Sequence, residues 1–228
     1  MIHADFTEFK ETTGADPFTL QNKKLLKVFL QYGPVKARIG AMVAYQGDAK
    51  FSHGGSGGAA GWMKSKMTGE GVPVMDVTGT GEVFLANQAT EIQIMYLDND
   101  SVWVNGANVL AFSASIAYDI KSIGNAGVMA GGMYNVVLTG TGYVAVTCDG
   151  PPVVLDVATA PTFADPQAVV MWTNGVQMGI KSDVNMKSLL GKGSGETFQM
   201  SFSGQGWVMV QPSEGVVQGA GTKSGIGF

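Results

Sequence analysis

One pattern, met three times along the 228 residues, constrains this chain more than any single motif. Its centre is a Gly-x-Gly: Gly79-Thr80-Gly81, Gly140-Thr141-Gly142 and Gly204-Gln205-Gly206. The first glycine recurs at spacings of 61 and 64 residues. Apolar residues stand four and two places before it (Met75 and Val77, Val136 and Leu138, Met200 and Phe202) and four and six after it (Val83 and Leu85, Val144 and Val146, Val208 and Val210). Period-two alternation on both sides predicts half-buried strands, because successive strand side chains point to opposite faces. The glycines supply the positive φ of a tight connection, so each copy reads as a β-hairpin. Gly79, Gly81, Gly140, Gly142, Gly204 and Gly206 are therefore expected to be structural turns.

Two further segments recur upstream. Val35 to Tyr45 (VKARIGAMVAY), Val102 to Phe112 (VWVNGANVLAF) and Thr162 to Trp172 (TFADPQAVVMW) each close on an aromatic residue. Before them come the alternating sets Leu26-Val28-Leu30, Ile92-Ile94-Tyr96 and Val153-Leu155-Val157. Repetition at this period marks modules that bury their apolar faces on one another. The frames are an N-terminal tail, 1–17; β repeats at 18–88, 89–150 and 151–214, together one compact unit; and a Gly-rich C-terminal tail, 215–228. No amphipathic helical stretch exceeds about three turns. The fold class is all-β.

Charged residues make up only 14% of the chain, against about 25% in ordinary globular proteins. With 45% hydrophobic residues, disorder is excluded for the bulk of the chain. So little charge also implies that part of the surface is covered by further copies of the same chain. A net charge of −4 argues against broad binding of nucleic acid. The single cysteine, Cys148, excludes an intrachain disulfide and a multi-cysteine zinc site, and suits a reducing compartment. Met1 to Lys10 carries Asp5 and Glu8 and no apolar core, unlike a secretory signal. Ser122 to Cys148 lacks charge, yet its apolar residues come in short alternating sets and read as buried strands rather than a spanning helix. A cytoplasmic location with peripheral contact at a membrane is the expectation.

Candidate chemistry is sparse. His3 lies in the tail and His53 in a glycine loop without neighbouring ligands, and Cys148 follows an alternating strand as a small hydrophobe would. Asp98-Asn99-Asp100 lacks the glycine and distal glutamate of a calcium loop and reads as a turn. Gly191-Lys192 lacks the flanking residues of a phosphate loop. No catalytic, metal-binding or cofactor-binding residue is assigned, and no cofactor is expected. The least ordinary feature is a Lys-Ser pair in the same part of each repeat: Lys64-Ser65, Lys121-Ser122 and Lys187-Ser188. Two of these loops mix lysine with large apolar residues: Trp62, Met63, Lys64, Lys66 and Met67 in one, Lys187, Leu189, Leu190 and Lys192 in the other. They are either solvated loops that plug a barrel end, or an interaction face whose apolar tips insert while lysines meet anionic headgroups or an acidic partner.

Several of these segments resemble one family. Gly40 to Gly47 (GAMVAYQG) and Lys64 to Gly71 (KSKMTGEG), followed by Gly79-Thr80-Gly81, are similar to motifs of the altered-inheritance-of-mitochondria family. Lys187 to Leu190, Gly195-Glu196 and Gly204-Gln205-Gly206 form a second such set, whereas the middle copy has Gly131-Gly132 in place of the Gly-Glu pair. The family sits in the superfamily resembling the tryptophan RNA-binding attenuation protein (TRAP), and the resemblance spans residues 18 to 214. It implies a double-stranded β-helix, a TRAP-like β-barrel of duplicated units, with chains closing into a ring-like trimer and no established chemistry. Mitochondrial relatives are linked to inner-membrane organisation. The expected function is thus a non-enzymatic homo-oligomeric β scaffold presenting one face to a protein partner or membrane. One alternative is a small-ligand or cupin-like enzyme using the barrel interior, for which Arg38, Asn105 and Asp165 at equivalent positions would supply polar groups. The other is RNA binding by analogy with TRAP-like rings.

Overall fold

Apolar alternation continues in phase across each Gly-x-Gly, and the backbone follows it. The structure, a computed structural model, describes residues 5–14, 16–53, 74–122, 134–182 and 198–213. The first repeat holds β1 (Phe18–Asn22), β2 (Leu25–Phe29), β3 (Val35–Arg38), β4 (Met42–His53) and β5 (Val74–Leu85). The second holds β6 (Glu91–Asn105), β7 (Val109–Ser113), β8 (Ala117–Ser122) and β9 (Tyr134–Cys148). The third holds β10 (Val153–Asp156), β11 (Thr162–Ala164), β12 (Val169–Thr173), β13 (Val176–Ser182), β14 (Phe198–Gly204) and β15 (Trp207–Val210). Three short 3-10 turns are the helical content of the described residues. The fold is all-β, in large antiparallel sheets. The longest path runs β1-β2-β5-β3-β7-β9-β6-β12-β15-β10 and has two open ends, so the described residues form no closed barrel, contrary to the barrel expectation.

The hairpins are also corrected. β5 passes through Gly79 and Gly81 without reversing, and β9 does the same through Gly140 and Gly142. In the third copy β14 and β15 flank Gly204 and Gly206 but never pair with each other. All six glycines have φ between +108° and +152°. A Cβ placed on Gly79 or Gly81 would stand 2.0 Å from the carbonyl oxygen of Asp48 or Gln46 on β4. Positive φ and a missing side chain serve a bend inside a strand as well as they serve a turn, which is why the sequence pattern misleads. Asp98-Asn99-Asp100 fails as a turn for a related reason. It is an irregularity within β6, with Asn99 at φ +50° and its amide donating to Thr141 Oγ1, opposite the Gly-Thr-Gly.

Around these bent central strands one pairing scheme recurs three times. The half after the glycines lies between β2 and the start of β4 in repeat one, between the start of β6 and β7 in repeat two, and between β10 and β12 in repeat three. The half before them lies between β3 and the end of β4, the end of β6 and β8, and β11 and β13. Registers agree residue by residue. Leu85, Val146 and Val210 face Met42, Val109 and Val169; Val83, Val144 and Val208 face Tyr45, Phe112 and Trp172. Between those pairs each copy has the same one-residue bulge, at Val43, Leu110 and Val170.

Neighbouring repeats join by one further pairing. Lys36 on β3 faces Phe112 on β7, and Trp103 on β6 faces Trp172 on β12. The bulged residue of the later repeat packs into the earlier repeat's core. Leu110 belongs to the cluster of Leu26, Val28, Val77 and Val83, and Val170 to that of Val104, Val136, Val144 and Val146. A third cluster, around Trp172, Phe202 and Val208, fills repeat three.

The glycines give a direct test. Gly81→Ala is expected to destabilise the protein by roughly 3 kcal/mol or more, from positive φ plus collision with the Gln46 carbonyl. Gly33→Ala, also at positive φ but with nothing within 4 Å of the added carbon, should cost less, about 1–3 kcal/mol from backbone strain alone. Urea melts of both variants measure the difference.

Candidate functional site

The loops expected to form an interaction face fall mostly beyond the described residues. Trp62, Met63, Lys64, Lys66, Met67, Lys187, Leu189, Leu190 and Lys192 lie outside them, as do Gly69-Glu70, Gly195-Glu196 and Gly191. Lys121 is described: it is exposed at the end of β8 and pairs with Asp119 on the same strand. The segments 54–73, 123–133 and 183–197 leave from equivalent places, following β4, β8 and β13 and preceding each central strand.

Arg38, Asn105 and Asp165 do occupy equivalent positions, but they do not converge on a ligand space. Arg38 Nη1 donates to the carbonyls of Ala107 (2.9 Å) and Val109 (3.5 Å) in repeat two. Asn105 is buried; its Nδ2 donates to the Val169 carbonyl at 3.2 Å in repeat three, while its Oδ1 accepts from the Ala107 amide. Val109 and Val169 are matching residues, each the first of its strand. Both side chains therefore latch one repeat to the start of the next. Asp165 differs, since a carboxylate cannot donate to a carbonyl. It accepts instead from the Gln167 amide in its own turn, at 2.7 Å.

A cleft of about 270 Å³ opens where repeats one and two meet. Pro17, Phe18, Phe29, Tyr32, Pro34 and Tyr143 give it an aromatic wall, with Phe18 stacked on Tyr143 at 5.6 Å. Besides the phenol groups of Tyr32 and Tyr143, its polar side chains are two serines already engaged: Ser113 Oγ accepts from the Tyr143 amide and Ser115 Oγ donates to the Thr141 carbonyl. Such a surface can hold a flat apolar group and offers no charged side chain for acid–base work. Among the described residues there is no cluster of three or more His, Cys, Asp or Glu suited to a metal ion.

Residues 18–213 match the profile of the mitochondrial biogenesis AIM24 family. The chain belongs to that family. A protein of Streptococcus pyogenes, SPYM3_0169, has the same fold, with a TM-score of 0.70 over 86% of this chain and 92% of its own at 20% identity. A search of curated proteins gave no match. No helix among the described residues is long and apolar enough to cross a membrane.

Two titratable groups of this AIM24-family chain have strongly shaped surroundings. Cys148 is fully buried, and burial, reinforced by Glu91, pushes its thiol up to about 12. That makes it a packing residue rather than a nucleophile. Lys27 is the functional-looking residue that motif reading missed. It sits at a position where repeat two carries Ile94, facing Phe84 where Ile94 faces Ala145. Its ammonium lies 2.8 Å from Glu11 and 3.0 Å from Glu82, donates to the Thr12 carbonyl, and stands 4.5 Å from the centre of the Phe29 ring. Burial alone would lower its pKa; the hydrogen bonds with Glu11 and Glu82 outweigh this and hold it above the ordinary lysine value. Glu82 is raised, first by its hydrogen bond with Glu11, and Glu11 is lowered by the same bond and by Lys27. The cluster binds residues 11 and 12 over the outer face of repeat one, where Phe29 and Phe84 are both buried. It caps the face whose counterpart in repeat two, at Ile94 and Ala145, packs against repeat one. A lone lysine within Leu25-Leu26-Lys27-Val28-Phe29 is the sequence signal for it.

Two outcomes follow. Cys148 should resist aromatic disulfide reagents at pH 8 in the native protein and react stoichiometrically in denaturant, as the released chromophore reports. Lys27→Met should lower stability by about 2 kcal/mol, below the usual cost of breaking a buried pair because Glu11 and Glu82 stay partly solvated. Since the folded pKa of Lys27 is raised, its contribution is complete below the ordinary lysine value and fades as pH climbs through the folded one. That alkaline loss should be missing from the variant's stability profile.

Proposed function

We propose that the chain is a non-enzymatic, self-assembling β scaffold that presents the lysine-bearing segments 54–73 and 183–197, with Lys121 at the end of β8, to an anionic membrane surface or an acidic protein partner. The observation that carries this reading is positional. Segments 54–73, 123–133 and 183–197 all leave the same point of the repeated pairing scheme; the first carries Lys64 and Lys66 and the last Lys187 and Lys192, while in repeat two the lysine, Lys121, stands at the end of β8. Mixed lysine and large apolar residues in two of them suit an interface where apolar tips insert and ammonium groups meet phosphates. A ring-like trimer of TRAP-like units, in the cytoplasm and peripheral at a membrane, is the assembly this reading favours. The link to mitochondrial biogenesis attaches to the family description and supports a role near membranes.

The small-ligand alternative loses its original basis, because Arg38 and Asn105 are spent on latches between repeats and Asp165 on its own turn. Its better location is the aromatic cleft at Tyr32 and Tyr143. RNA binding has only the superfamily analogy behind it, against a net charge of −4.

Lys64→Glu combined with Lys187→Glu is expected to abolish co-sedimentation with vesicles rich in anionic phospholipid, with an unchanged melting temperature. Wild-type protein that ignores such vesicles but retains an acidic protein from native lysate, and loses it in the double variant, would assign the face to a partner. Undiminished binding of both kinds in the double variant would remove the loops from the function.

A further inference from the structure

Among the described residues, two strands, one in the first repeat and one in the third, lack the neighbour that their counterparts possess. In repeats two and three the strand carrying the bulge, β7 or β12, pairs along its outer edge with the preceding repeat, through β3 or β6. Its apolar residues are consequently buried: Val109, Leu110, Ala111 and Phe112 are all 0% exposed, and Val169 to Trp172 are at most 1%. The matching stretch of repeat one, Met42-Val43-Ala44-Tyr45, has the same bulge and equally apolar residues but pairs only with β5 among the described residues. Met42 is 40% exposed, Val43 61% and Tyr45 48%. In the third repeat, β11 matches β3 and the second half of β6 in register, yet among the described residues it pairs only with β14. Its Phe163, the counterpart of Lys36 and Trp103, is 50% exposed.

We propose that these two edges meet between copies of the chain: β11 of one molecule pairs antiparallel with β4 of the next, repeating the internal joint. The inference rests on the self-assembly part of the function proposed above and names the surface that performs it. The two internal joints fix the register. Val35 opposite Ser113 and Val102 opposite Thr173 place Thr162 opposite Gln46; Lys36 opposite Phe112 and Trp103 opposite Trp172 place Phe163 opposite Tyr45. At the second joint the facing pair is two stacked indoles, 5.8 Å apart and 8° from parallel, so two exposed aromatics at the matching site are what this joint accepts. Val43, at the bulge, would enter the Trp172–Phe202 core as Leu110 and Val170 enter theirs. The N-terminal cap at Lys27 covers Phe29 and Phe84 but leaves Val43 bare. Among the described residues the other open edges are those of β8 and β13 and those of the first half of β6 and β10, each open in successive repeats, and that of β1, which has no counterpart; none matches an internal joint.

Pairing of unlike edges is head-to-tail, which produces rings or open chains rather than a two-fold dimer. The joint between copies would also be weaker than the internal ones. Arg38 and Asn105 latch those, whereas Asp165 cannot donate to the Met42 carbonyl. Assembly should therefore depend on concentration.

The test uses two full-length chains of distinguishable mass, one carrying Tyr45→Cys and the other Phe163→Cys, mixed and mildly oxidised. Cys148 is buried and does not compete. Disulfides joining unlike chains, in clear excess over like pairs, are the expected result. In addition Val43→Asp, at an exposed site tolerated by the monomer, should raise the dissociation constant seen by light scattering at least about thirtyfold. A double-cysteine chain that closes a disulfide within itself would overturn the inference, as would oligomers whose mass is unchanged by Val43→Asp and whose unlike chains do not cross-link. A wild-type chain that stays monomeric at high concentration would overturn both this joint and the self-assembly reading.

Discussion

A strand that must bend sharply while its neighbours press against both edges needs residues without side chains at the bend. Gly79 and Gly81, with backbone carbonyls of β4 within 2.0 Å of where a Cβ would sit, meet that need in the first repeat. The same positive φ appears at Gly140, Gly142, Gly204 and Gly206. Everything else in the module is arranged around the bend. The half before it takes one pair of neighbours and the half after it another, along one strand in repeats one and two and along two successive strands, β14 and β15, in repeat three. Cross-strand hydrogen bonding alone could be satisfied by many registers; burial of one face of both halves selects a single one.

Much of this was legible in the sequence, and the errors are instructive. The apolar positions around each Gly-x-Gly do face the core, and their offsets from the first glycine are all even. Even offsets keep one face in phase across the glycines, which is the mark of a single strand rather than of two strands joined by a reversal. Reading the glycines for their φ alone hid that signal. Arg38, Asn105 and Asp165 were correctly aligned as a polar set, but the carbonyls that Arg38 and Asn105 hold belong to the following repeat, and a residue's partner across a joint has no signature in its own segment. Lys27 was invisible for the opposite reason. Its two carboxylates come from positions 11 and 82, brought together only by the β2–β5 pairing. The Lys-Ser loops were conspicuous as composition, and composition does not place side chains.

Membership of the AIM24 family and the likeness to the streptococcal protein agree with an all-β chain of this topology. At 20% identity the shared property is the fold, so what a site does must be argued from this chain's own residues. The charge distribution bears on that argument. Lys27 and its carboxylates occupy one terminal face, while the neighbouring strand edge carries Met42, Val43 and Tyr45 without a charged residue among them. Charge is an effective means of discouraging edge-to-edge contact, and here it is present on the face and missing from the edge.

The bulge shared by the three modules has one more implication. Because Leu110 and Val170 fill the interior of the module that precedes them, the boundaries between hydrophobic interiors are displaced from the boundaries between sequence repeats. A segment cut at residue 88 or 150 would leave behind a vacancy in its own interior and carry away an orphaned plug. The modules are therefore coupled: repeats two and three each hold a piece of their neighbour's keystone, and opening either joint uncovers apolar surface on both sides of it.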